Sequence, residues 1–355
     1  MNLNNKYKNK KVLITGHTGF KGKWLTIWLA KLGANIMGVS LKSDNLSKIT
    51  KKYYTTQINE KFFNICDLKK IYQVVNNYKP EYIFHLAAQS IVKKSYQDPI
   101  LTWNSNLIGT LNILHSLNSL KNKCSAVMIT SDKCYKNLEK RSGYKETDTL
   151  GGDDTYSASK ASAEILIKSY FKSFLHKKKN IKIATVRAGN VIGGGDFSQD
   201  RIIPDIIRSC QKNKPLQIRN PNSTRPWQHV LEPLYGYLLL GQKLKLDGRI
   251  NGQSFNFGPS FKKKYSVFYL AKKLILKFIS SKKIIIKHNG HIKETKVLIL
   301  NSQKAYKFLS WKTVLSFDQT LDFTSSWYKN FFDNNKKTIN FTISQIDKYL
   351  AKILK

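Results

Sequence analysis

The fold of this chain is decided by the stretch Lys11-Val-Leu-Ile-Thr-Gly-His-Thr-Gly-Phe-Lys-Gly22, where an apolar strand runs into a glycine-rich turn and then a helix-like segment, 23–30. Gly16 can adopt the backbone angles of a tight turn, and Gly22 lets the helix lie close to the sheet. Gly19 leaves no Cβ between the backbone and a pyrophosphate. Since free N–H groups at a helix start attract anions, the stretch predicts a phosphate cradle for a dinucleotide.

The spacing of these glycines carries further information. They are separated by three and three residues, with Thr15 before the first and Phe20 between the last two. This pattern resembles the extended short-chain dehydrogenase/reductase family. The resemblance implies a Rossmann-type domain that binds NAD.

Strand-like and helix-like segments alternate through the first half of the chain. The predicted strands cover 12–15, 35–41, 62–67, 82–87, 126–131 and 182–188. Repeated βα units of this length indicate an α/β fold with a doubly wound parallel sheet. Ligands bind to such sheets at the carboxyl ends of the strands, so candidate site residues are sought there.

The second half has a different pattern, with glycine-rich and proline-containing loops. We predict that residues 1–188 form the NAD-binding domain and that 189–333 form mainly a smaller substrate-binding lobe. The helix-like run 229–244 lies within a segment, 225–255, that we expect to return to the first domain. Residues 334–355 are expected to form a surface helix or tail.

The charge of the chain is extreme, with a formal net charge of +39. Only seven of the 61 basic residues are arginine, the residue preferred for bidentate recognition of phosphates and bases. The lysines are spread along the chain beside abundant Asn and Ile, which favours a solvated lysine-rich surface over nucleic-acid binding. Such a field would still attract an anionic nucleotide-sugar.

The spacing of the cysteines and the hydropathy of the chain indicate the cellular compartment of the protein. Cys66, Cys124, Cys134 and Cys210 show no paired spacing, so neither a metal site nor a disulfide framework is expected. No run of eighteen apolar residues occurs, and the first residues are polar. We therefore expect a cytoplasmic protein with no membrane contact.

The first candidate catalytic group is Tyr156-Ser-Ala-Ser-Lys160. A spacing of four on a helix places Tyr156 and Lys160 on one face. A neighbouring cation favours the phenolate, which would lower the pKa of Tyr156 and let it exchange a proton with a sugar hydroxyl. Lys160 would also hold the cofactor ribose. The alternative is an ordinary surface pair, but the preceding dinucleotide cradle favours the catalytic interpretation.

The second candidate group is Thr130-Ser-Asp-Lys-Cys-Tyr135, at the carboxyl end of a predicted strand. Ser131 can hydrogen-bond a substrate hydroxyl, Asp132 can act as an acid, and Lys133 can act as a base. The alternative is a Ser-Asp turn followed by a solvated lysine.

Five motifs taken together resemble the family of CDP-glucose 4,6-dehydratases, from about residue 10 to 330. They are Gly-His-Thr-Gly-Phe-Lys-Gly (16–22), Ser-Asp-Lys-Cys-Tyr (131–135), Arg-Ala-Gly-Asn-Val-Ile-Gly-Gly-Gly-Asp (187–196), Asp-Arg-Ile-Ile-Pro-Asp (200–205) and Arg-Pro-Trp-Gln-His-Val (225–230). Other nucleotide-sugar dehydratases generally carry Asp-Glu after the Ser or Thr. The pair Asp132-Lys133 has the Asp-Lys form of this family.

The resemblance implies three sets of site residues. The catalytic set is Ser131, Asp132, Lys133, Tyr156, Lys160 and Asn106. The cofactor set is Thr15, Gly16, Thr18, Gly19, Phe20, Gly22, Asp67, Leu68, Ala87, Ala88, Tyr156 and Lys160. The substrate set is Gln89, Asn190, Arg201, Arg225 and Glu294, whose arginines suit a diphosphate.

The resemblance also implies a reaction and an assembly. CDP-D-glucose would lose water to give CDP-4-dehydro-6-deoxy-D-glucose, with bound NAD⁺ reduced and reoxidised within one cycle. Tyr156 would take the O4 proton, Lys133 the C5 proton, and Asp132 would protonate the leaving C6 hydroxyl. The family context is deoxysugar synthesis for surface polysaccharide, and a homodimer formed through the Tyr156 helix is common.

Two rival functions stay open at this point. Another nucleotide-sugar dehydratase or a 4-epimerase would share the Tyr–Lys pair, although an epimerase has no need of Asp132-Lys133. A basic nucleic-acid-binding protein with a vestigial nucleotide fold would bind polyanions in a salt-dependent manner.

Some features depart from the expected pattern. The second predicted strand has no acid at its tip, so the NAD-selecting carboxylate is either Asp44, displaced, or absent, and Lys42 could suit a 2′-phosphate. His17 and His85 have no ligand spacing to another His or Cys, and both are expected to be packed or hydrogen-bonded.

Overall fold

The computed structural model describes residues 3, 5–42, 58–259, 265–278, 283–286, 297–333 and 337–354. In chain order the described strands are β1 (Lys11–Thr15), β2 (Asn35–Ser40), β3 (Ile58–Phe62), β4 (Tyr82–His85), β5 (Cys124–Ile129), β6 (Ile181–Ala188), β7 (Val191–Ile192), β8 (Leu216–Ile218), β9 (Thr224–Arg225), β10 (Gln228–His229), β11 (Gln253–Phe257), β12 (Tyr265–Ser266) and β13 (Ile284–Ile286).

The described α-helices are α1 (Phe20–Lys31), α2 (Leu68–Tyr78), α3 (Val92–Gln97), α4 (Pro99–Trp103), α5 (Gly109–Ser119), α6 (Thr155–Tyr170), α7 (Ile202–Gln211), α8 (Leu231–Leu246), α9 (Val267–Lys277), α10 (Gln303–Leu309), α11 (Phe317–Asp333) and α12 (Thr338–Ile353). Two π-helical turns, Asn104–Ile108 and Phe171–Leu175, lie beside α5 and α6.

A seven-stranded sheet forms the centre of the molecule, in the order β11-β6-β5-β4-β1-β2-β3. Each neighbouring pair is parallel. The order reverses at β1, which is the doubly wound arrangement. The predicted α/β fold class is therefore confirmed.

Helices cover both faces of this sheet, as the alternation of β1 side chains shows. Val12 and Ile14 belong to one hydrophobic cluster, with Trp28 of α1. Leu13, between them, points to a second cluster with Leu114 of α5. Parallel strands buried on both faces need continuous apolar sequence, and β1 and β5 have it.

The third predicted strand is misplaced. Residues 62–67 were expected to be extended, but β3 ends at Phe62, and Asp67 is the N-cap of α2. The apolar character of the segment between them has another cause: Ile65 packs into the second hydrophobic cluster, while Phe63 lies beside it. Burial alone therefore produced a strand-like pattern.

The chain returns to the sheet in its second half. Strand β11 pairs with β6, and α8 packs on β5 and β6. The predicted helix 229–244 starts two residues late, at Leu231, because Gln228 and His229 pair with β7 as the short strand β10. The division into domains at residue 188 stays a prediction.

The end of the chain is packed into the core. Residues expected to form a surface helix or tail form α12, whose Ile346 and Tyr349 are completely buried. Tyr349 donates a hydrogen bond of 2.7 Å to Glu232 Oε2 on α8, and its ring meets that of Trp28 edge-on at 6.0 Å. Helix α12 thus covers part of helix α1. Within the described ranges, every helix is too short or too polar to span a bilayer.

Candidate active site

A cavity of about 680 Å³ opens along the carboxyl edge of the sheet. We call its wall from residues 16–22, 87–88 and α6 the cofactor edge. The wall formed by residues 189–204, 219 and 225 is the substrate edge. The turn 130–133 lies between them, since all three regions line the same space.

The cofactor edge fits a pyrophosphate. Gly16 has a φ of 75°, and a Cβ there would lie 2.7 Å from the backbone N of Ala87, so only glycine is accommodated. A Cβ on Gly22 would lie 2.1 Å from the oxygen of Gly16. By contrast, the nearest atom to a Cβ on Gly19 is 3.2 Å away, which leaves space on the ligand side. Helix α1 starts beside this space without a side-chain cap.

The predicted cofactor residues do not all reach the cavity. Gly16, Thr18, Gly19, Phe20, Gly22, Ala87, Ala88, Tyr156 and Lys160 line it. Thr15 lies behind the wall, where its hydroxyl is 2.7 Å from Nδ1 of buried His85. Asp67 and Leu68 are outside the lining: Asp67 caps α2 by accepting from the Lys70 N–H at 3.1 Å. Residues 63–65 line that part of the cavity instead.

The histidines are held by other protein groups, as expected. His85 bonds Thr15 and Thr110, and burial lowers its pKa to about 3. His17 lies within the glycine turn with Nε2 2.9 Å from Glu60 Oε1. At the tip of β2, Ser40 accepts from the Thr18 N–H at 3.2 Å. Asp44 lies outside the described residues, so the alternatives for the NAD-selecting carboxylate stay open.

Helix α6 presents Tyr156 and Lys160 to the cavity, one turn apart. Its start is fixed by Asp154, which accepts from the Ser157 N–H at 2.9 Å. Burial lowers the pKa of Lys160 to about 8, and the nearby Lys21 adds to the effect. Burial raises the pKa of Tyr156 to about 12, although hydrogen bonding with Ser131 opposes the rise. The net shift is upward because desolvation outweighs the lowering by the Ser131 hydrogen bond and by the Arg201 charge. That Lys160 favours the phenolate stays a prediction.

The turn after β5 brings an acid and an amine next to this pair. Ser131 donates to Asp132 Oδ1 at 3.0 Å, and Asn190 Nδ2 donates to Asp132 Oδ2 at 3.2 Å. Asp132 is buried and Lys133 is half-buried. A Cβ at Gly189 would lie 1.7 Å from Asp132 Oδ2, so the carboxylate needs glycine there. Gly189 was not predicted as a site residue, because its role depends on contact with a residue 57 positions earlier in the chain.

Two further predicted site residues are Asn106, which lies behind the cavity wall, and Gln89, which forms part of that wall. Asn106 lies in the π-helical turn and exchanges hydrogen bonds with the Gln89 backbone, at 2.8 and 3.1 Å, and with Ser159, at 2.9 Å. Gln89 lines the cavity, but its side chain bonds the Ile91 backbone and Thr102. Of these two predicted site residues, only Gln89 faces the ligand space.

The predicted substrate arginines line the cavity from the N-cap of α7 and from strand β9. Arg201 donates to Asp196 at 3.1 Å and to the Ser90 hydroxyl at 2.8 Å. Arg225 also lines the wall, and its guanidinium donates to the oxygen of Thr224. Glu294 lies outside the described residues.

Other basic residues of the wall were not predicted. Lys21, Lys93 and Arg219 line the cavity together with the two predicted arginines. Burial lowers the pKa of Lys21 to about 8, with a further lowering by Arg201. Lys21 could have been found within the glycine motif, but Arg219 follows a three-residue strand that carries little sequence signal. The excess of cations favours an anionic ligand such as a diphosphate.

The described residues contain no group of three or more potential ligands for a metal ion. None of the four cysteines, all within the described ranges, forms a disulfide. The arrangement therefore offers proton transfer and anion binding by side chains beside a dinucleotide cradle.

Comparisons with known proteins point to one family. Residues 13–324 match the family model described as GDP-mannose 4,6 dehydratase. The chain is 38% identical, over 92% of both chains, to a CDP-glucose 4,6-dehydratase from Salmonella typhimurium. Among solved structures, it is similar to the epimerase Mth375 from Methanothermobacter thermautotrophicus, with a TM-score of 0.82, 23% identity and coverage of 94% of this chain and 96% of that one.

A second structural neighbour carries a cofactor. It is dTDP-glucose 4,6-dehydratase from Bacillus anthracis in complex with NAD, with a TM-score of 0.77 and 19% identity over 93% of this chain and 99% of that one. At these identities the structural neighbours establish the fold alone.

Proposed function

Because the chain belongs to the GDP-mannose 4,6-dehydratase family, we propose that it is an NAD-dependent lyase that converts CDP-D-glucose to CDP-4-dehydro-6-deoxy-D-glucose and water. The choice of CDP-glucose is supported by the relative from Salmonella typhimurium and by the Asp132-Lys133 pair.

The cofactor edge would hold NAD through the backbone of residues 16–22, with Lys160 at the ribose. When bound, NAD⁺ supplies a hydride acceptor and, once reduced, a hydride donor. The absence of a Cβ at Gly19 and the uncapped start of α1 fit its pyrophosphate.

The chain's own residues perform the proton transfers in this proposal. Tyr156 removes the O4 proton, and Lys160 stabilises the resulting phenolate. Oxidation at C4 makes the C5 hydrogen acidic, and Lys133 removes it. Asp132 then protonates the leaving C6 hydroxyl, which departs as water, and the hydride taken from C4 returns to C6 while C5 regains a proton. Each proton transfer of this kind contributes roughly 10²- to 10⁴-fold in rate.

The observation that carries the proposal is the acid and amine at 132–133, which line the same cavity as Tyr156. A redox site alone needs only the Tyr–Lys pair. The bonds from Ser131 and Asn190 fix the Asp132 carboxylate beside that pair. An elimination coupled to oxidation uses all of these groups.

The test is turnover of purified protein with CDP-, dTDP-, UDP- and GDP-glucose, scored by formation of the 4-keto product. We expect a much higher kcat/KM with CDP-glucose than with dTDP-glucose. Equal or reversed kcat/KM values would indicate that the protein belongs to another dehydratase group.

An isotope experiment tests the reaction type. CDP-glucose deuterated at C4 should give product deuterated at C6, with solvent hydrogen at C5. A 4-epimerase would instead return the label to C4. Retention of the C4 label there, with no loss of water, would favour this rival.

The proposal extends to the assembly and the location. We propose a cytoplasmic homodimer formed through α6 and its neighbours. Apolar side chains exposed on that side support this, among them Ile165 at 57% and Phe174 at 52%. A monomer at micromolar concentration in sedimentation experiments would contradict it. Retention of nucleic acid at moderate salt, without dehydratase activity, would instead support a polyanion-binding role.

A further inference from the structure

A buried ion pair lies behind the cavity wall and takes no part in the proton transfers proposed above. Glu164 lies on α6, one turn beyond Lys160, and Arg187 lies on β6. Arg187 Nη2 is 2.8 Å from Glu164 Oε2, and Nε is 3.0 Å from Oε1. Both side chains are almost completely buried, at 3% and 2% exposure for Arg187 and Glu164.

Each member of the pair holds one end of the catalytic segment 130–135. At the first end, Thr130 Oγ1 donates to Glu164 Oε1 at 2.5 Å. At the other end, Arg187 Nη1 donates to the Tyr135 hydroxyl at 2.7 Å, and the guanidinium lies 4.8 Å from the centre of the Tyr135 ring. Asp132 and Lys133 are between these two anchors.

The polar groups around the pair are also bonded. Tyr135 donates onward to Asn256 at 2.8 Å, and Thr185 donates to Glu164 Oε2 at 3.2 Å. Burial opposes ionisation of the Glu164 carboxyl, but the Arg187 guanidinium holds its pKa below the usual value. A buried ion pair is weak evidence for stability, because apolar residues of similar volume often serve as well. What it provides here is directional bonds to both ends of one segment.

We propose that the Glu164–Arg187 ion pair positions Asp132 and Lys133 relative to Tyr156 and Lys160, because Glu164 ties the first end of segment 130–135 to α6 and Arg187 ties the other end to β6. Glu164 and Arg187 are positioning residues, since neither lines the cavity. This inference rests on the proposed function for the roles of Asp132 and Lys133.

The test removes one hydroxyl and leaves the ion pair intact. In Thr130→Val the segment loses its bond to Glu164, while Thr130→Ser keeps the hydroxyl. Thr185→Val is the matched control, because it removes a bond to the same carboxylate from a strand residue outside the segment. Thermal unfolding is measured for all three, to compare the losses of stability.

We expect Thr130→Val to lower kcat by about 10- to 100-fold, the cost of a misplacement near 1 Å, with little change in KM. The fraction of reduced nicotinamide during turnover should rise, because removal of the C5 proton slows more than oxidation at C4. Thr130→Ser should restore both values. Thr185→Val should keep kcat close to the wild-type value at a similar loss of Tm.

Equal kcat losses in Thr130→Val and Thr185→Val, in proportion to Tm, would overturn the positioning role and leave the proposed function standing. Wild-type protein inactive on CDP-glucose would overturn the proposed substrate, and the variants would then be compared on the nucleotide-sugar that is turned over. A protein inert with all four sugars would overturn both proposals.

Discussion

The two edges of the cavity are built in different ways. The cofactor edge consists of strand ends and helix starts, where backbone geometry places Gly16, Gly19 and Tyr156. The substrate edge consists of two-residue strands, the start of α7 and the loops between them, and its side chains are held by other side chains, as Arg201 is by Asp196 and Ser90. The first edge is therefore specified by short stretches of sequence, whereas the second depends on contacts between distant parts of the chain.

The largest effect is expected at the cofactor edge, from Gly19→Val. The added Cβ would lie 3.2 Å from the backbone oxygen of Gly16, so the turn must shift slightly for the variant to fold, and the rest of the side chain fills the space for the pyrophosphate. NAD⁺ affinity, measured by calorimetry, should fall by at least about 100-fold, since charge-assisted hydrogen bonds at a helix start are lost together. Unchanged affinity in a folded variant would show that this edge holds something else.

Between the edges, Lys133→Ala should slow product formation by roughly 10²-fold or more, as expected for loss of a general base. Oxidation at C4 should continue in part, because it depends on Tyr156 and Lys160. Rapid-mixing absorbance would show reduced nicotinamide without elimination, and Tyr156→Phe should suppress even that signal. Normal turnover by the Lys133→Ala variant would show that Lys133 is not the base.

At the substrate edge, Arg201→Ala should raise KM for CDP-glucose by roughly 10- to 100-fold, the usual value of a hydrogen bond to a charged group. NAD⁺ affinity should stay the same, which is the reverse of the Gly19→Val result. Arg208→Ala is the control, because Arg208 pairs with Asp205 on α7 and is outside the cavity lining. If both arginine variants raise KM equally, Arg201 acts through the loop and not on the substrate.

The regular parts of the molecule could be predicted from sequence, and the reason is local. Residues 11–22 carry the signals of a strand, a turn and a helix within one short stretch, and the strand end at Ala188 follows from an apolar run. The assignment of 62–67 as a strand was wrong because packing of Ile65 produced the same apolar pattern. Gly189 was missed because glycine is required there by the Asp132 carboxylate, which follows a different strand.

The pKa of Tyr156 could not be predicted from sequence either. Sequence spacing placed a cation one turn away, but the degree of burial, which raises the pKa, is a property of the whole fold. Of the predicted site residues, Thr15, Asn106, Asp67 and Leu68 fall outside the lining, which a linear motif could not distinguish from residues that face the cavity.

The smallest expected effect concerns stability in the second half of the chain. Burial raises the pKa of Glu232 from 4.5 to about 7, although hydrogen bonds from Leu315, Tyr349 and Val314 lower this pKa. The folded chain thus keeps a proton that the unfolded chain releases, so this stabilisation is present below pH 4.5 and is lost as pH rises through 7.

The measurement is Tm at pH 6 and pH 8 for wild-type protein and Glu232→Gln. The variant should show a smaller decrease, by about 1–3 °C, because one kcal/mol shifts Tm by only a few degrees in a large domain. Asp347→Asn, at an exposed carboxylate on α12, serves as control and should behave as wild type. An equal decrease in all three proteins would exclude Glu232 as the source.

The contact between α12 and α1 has a consequence for synthesis on the ribosome. Trp28 is made early and Tyr349 late, yet their rings pack together, and Tyr349 also closes the bonds around Glu232. A nascent chain can form the parallel sheet before residues 338–353 emerge, but the part of α1 that packs on α12 stays uncovered until then. A growing chain would therefore keep an apolar patch of α1 exposed to solvent until residues 338–353 have been synthesised.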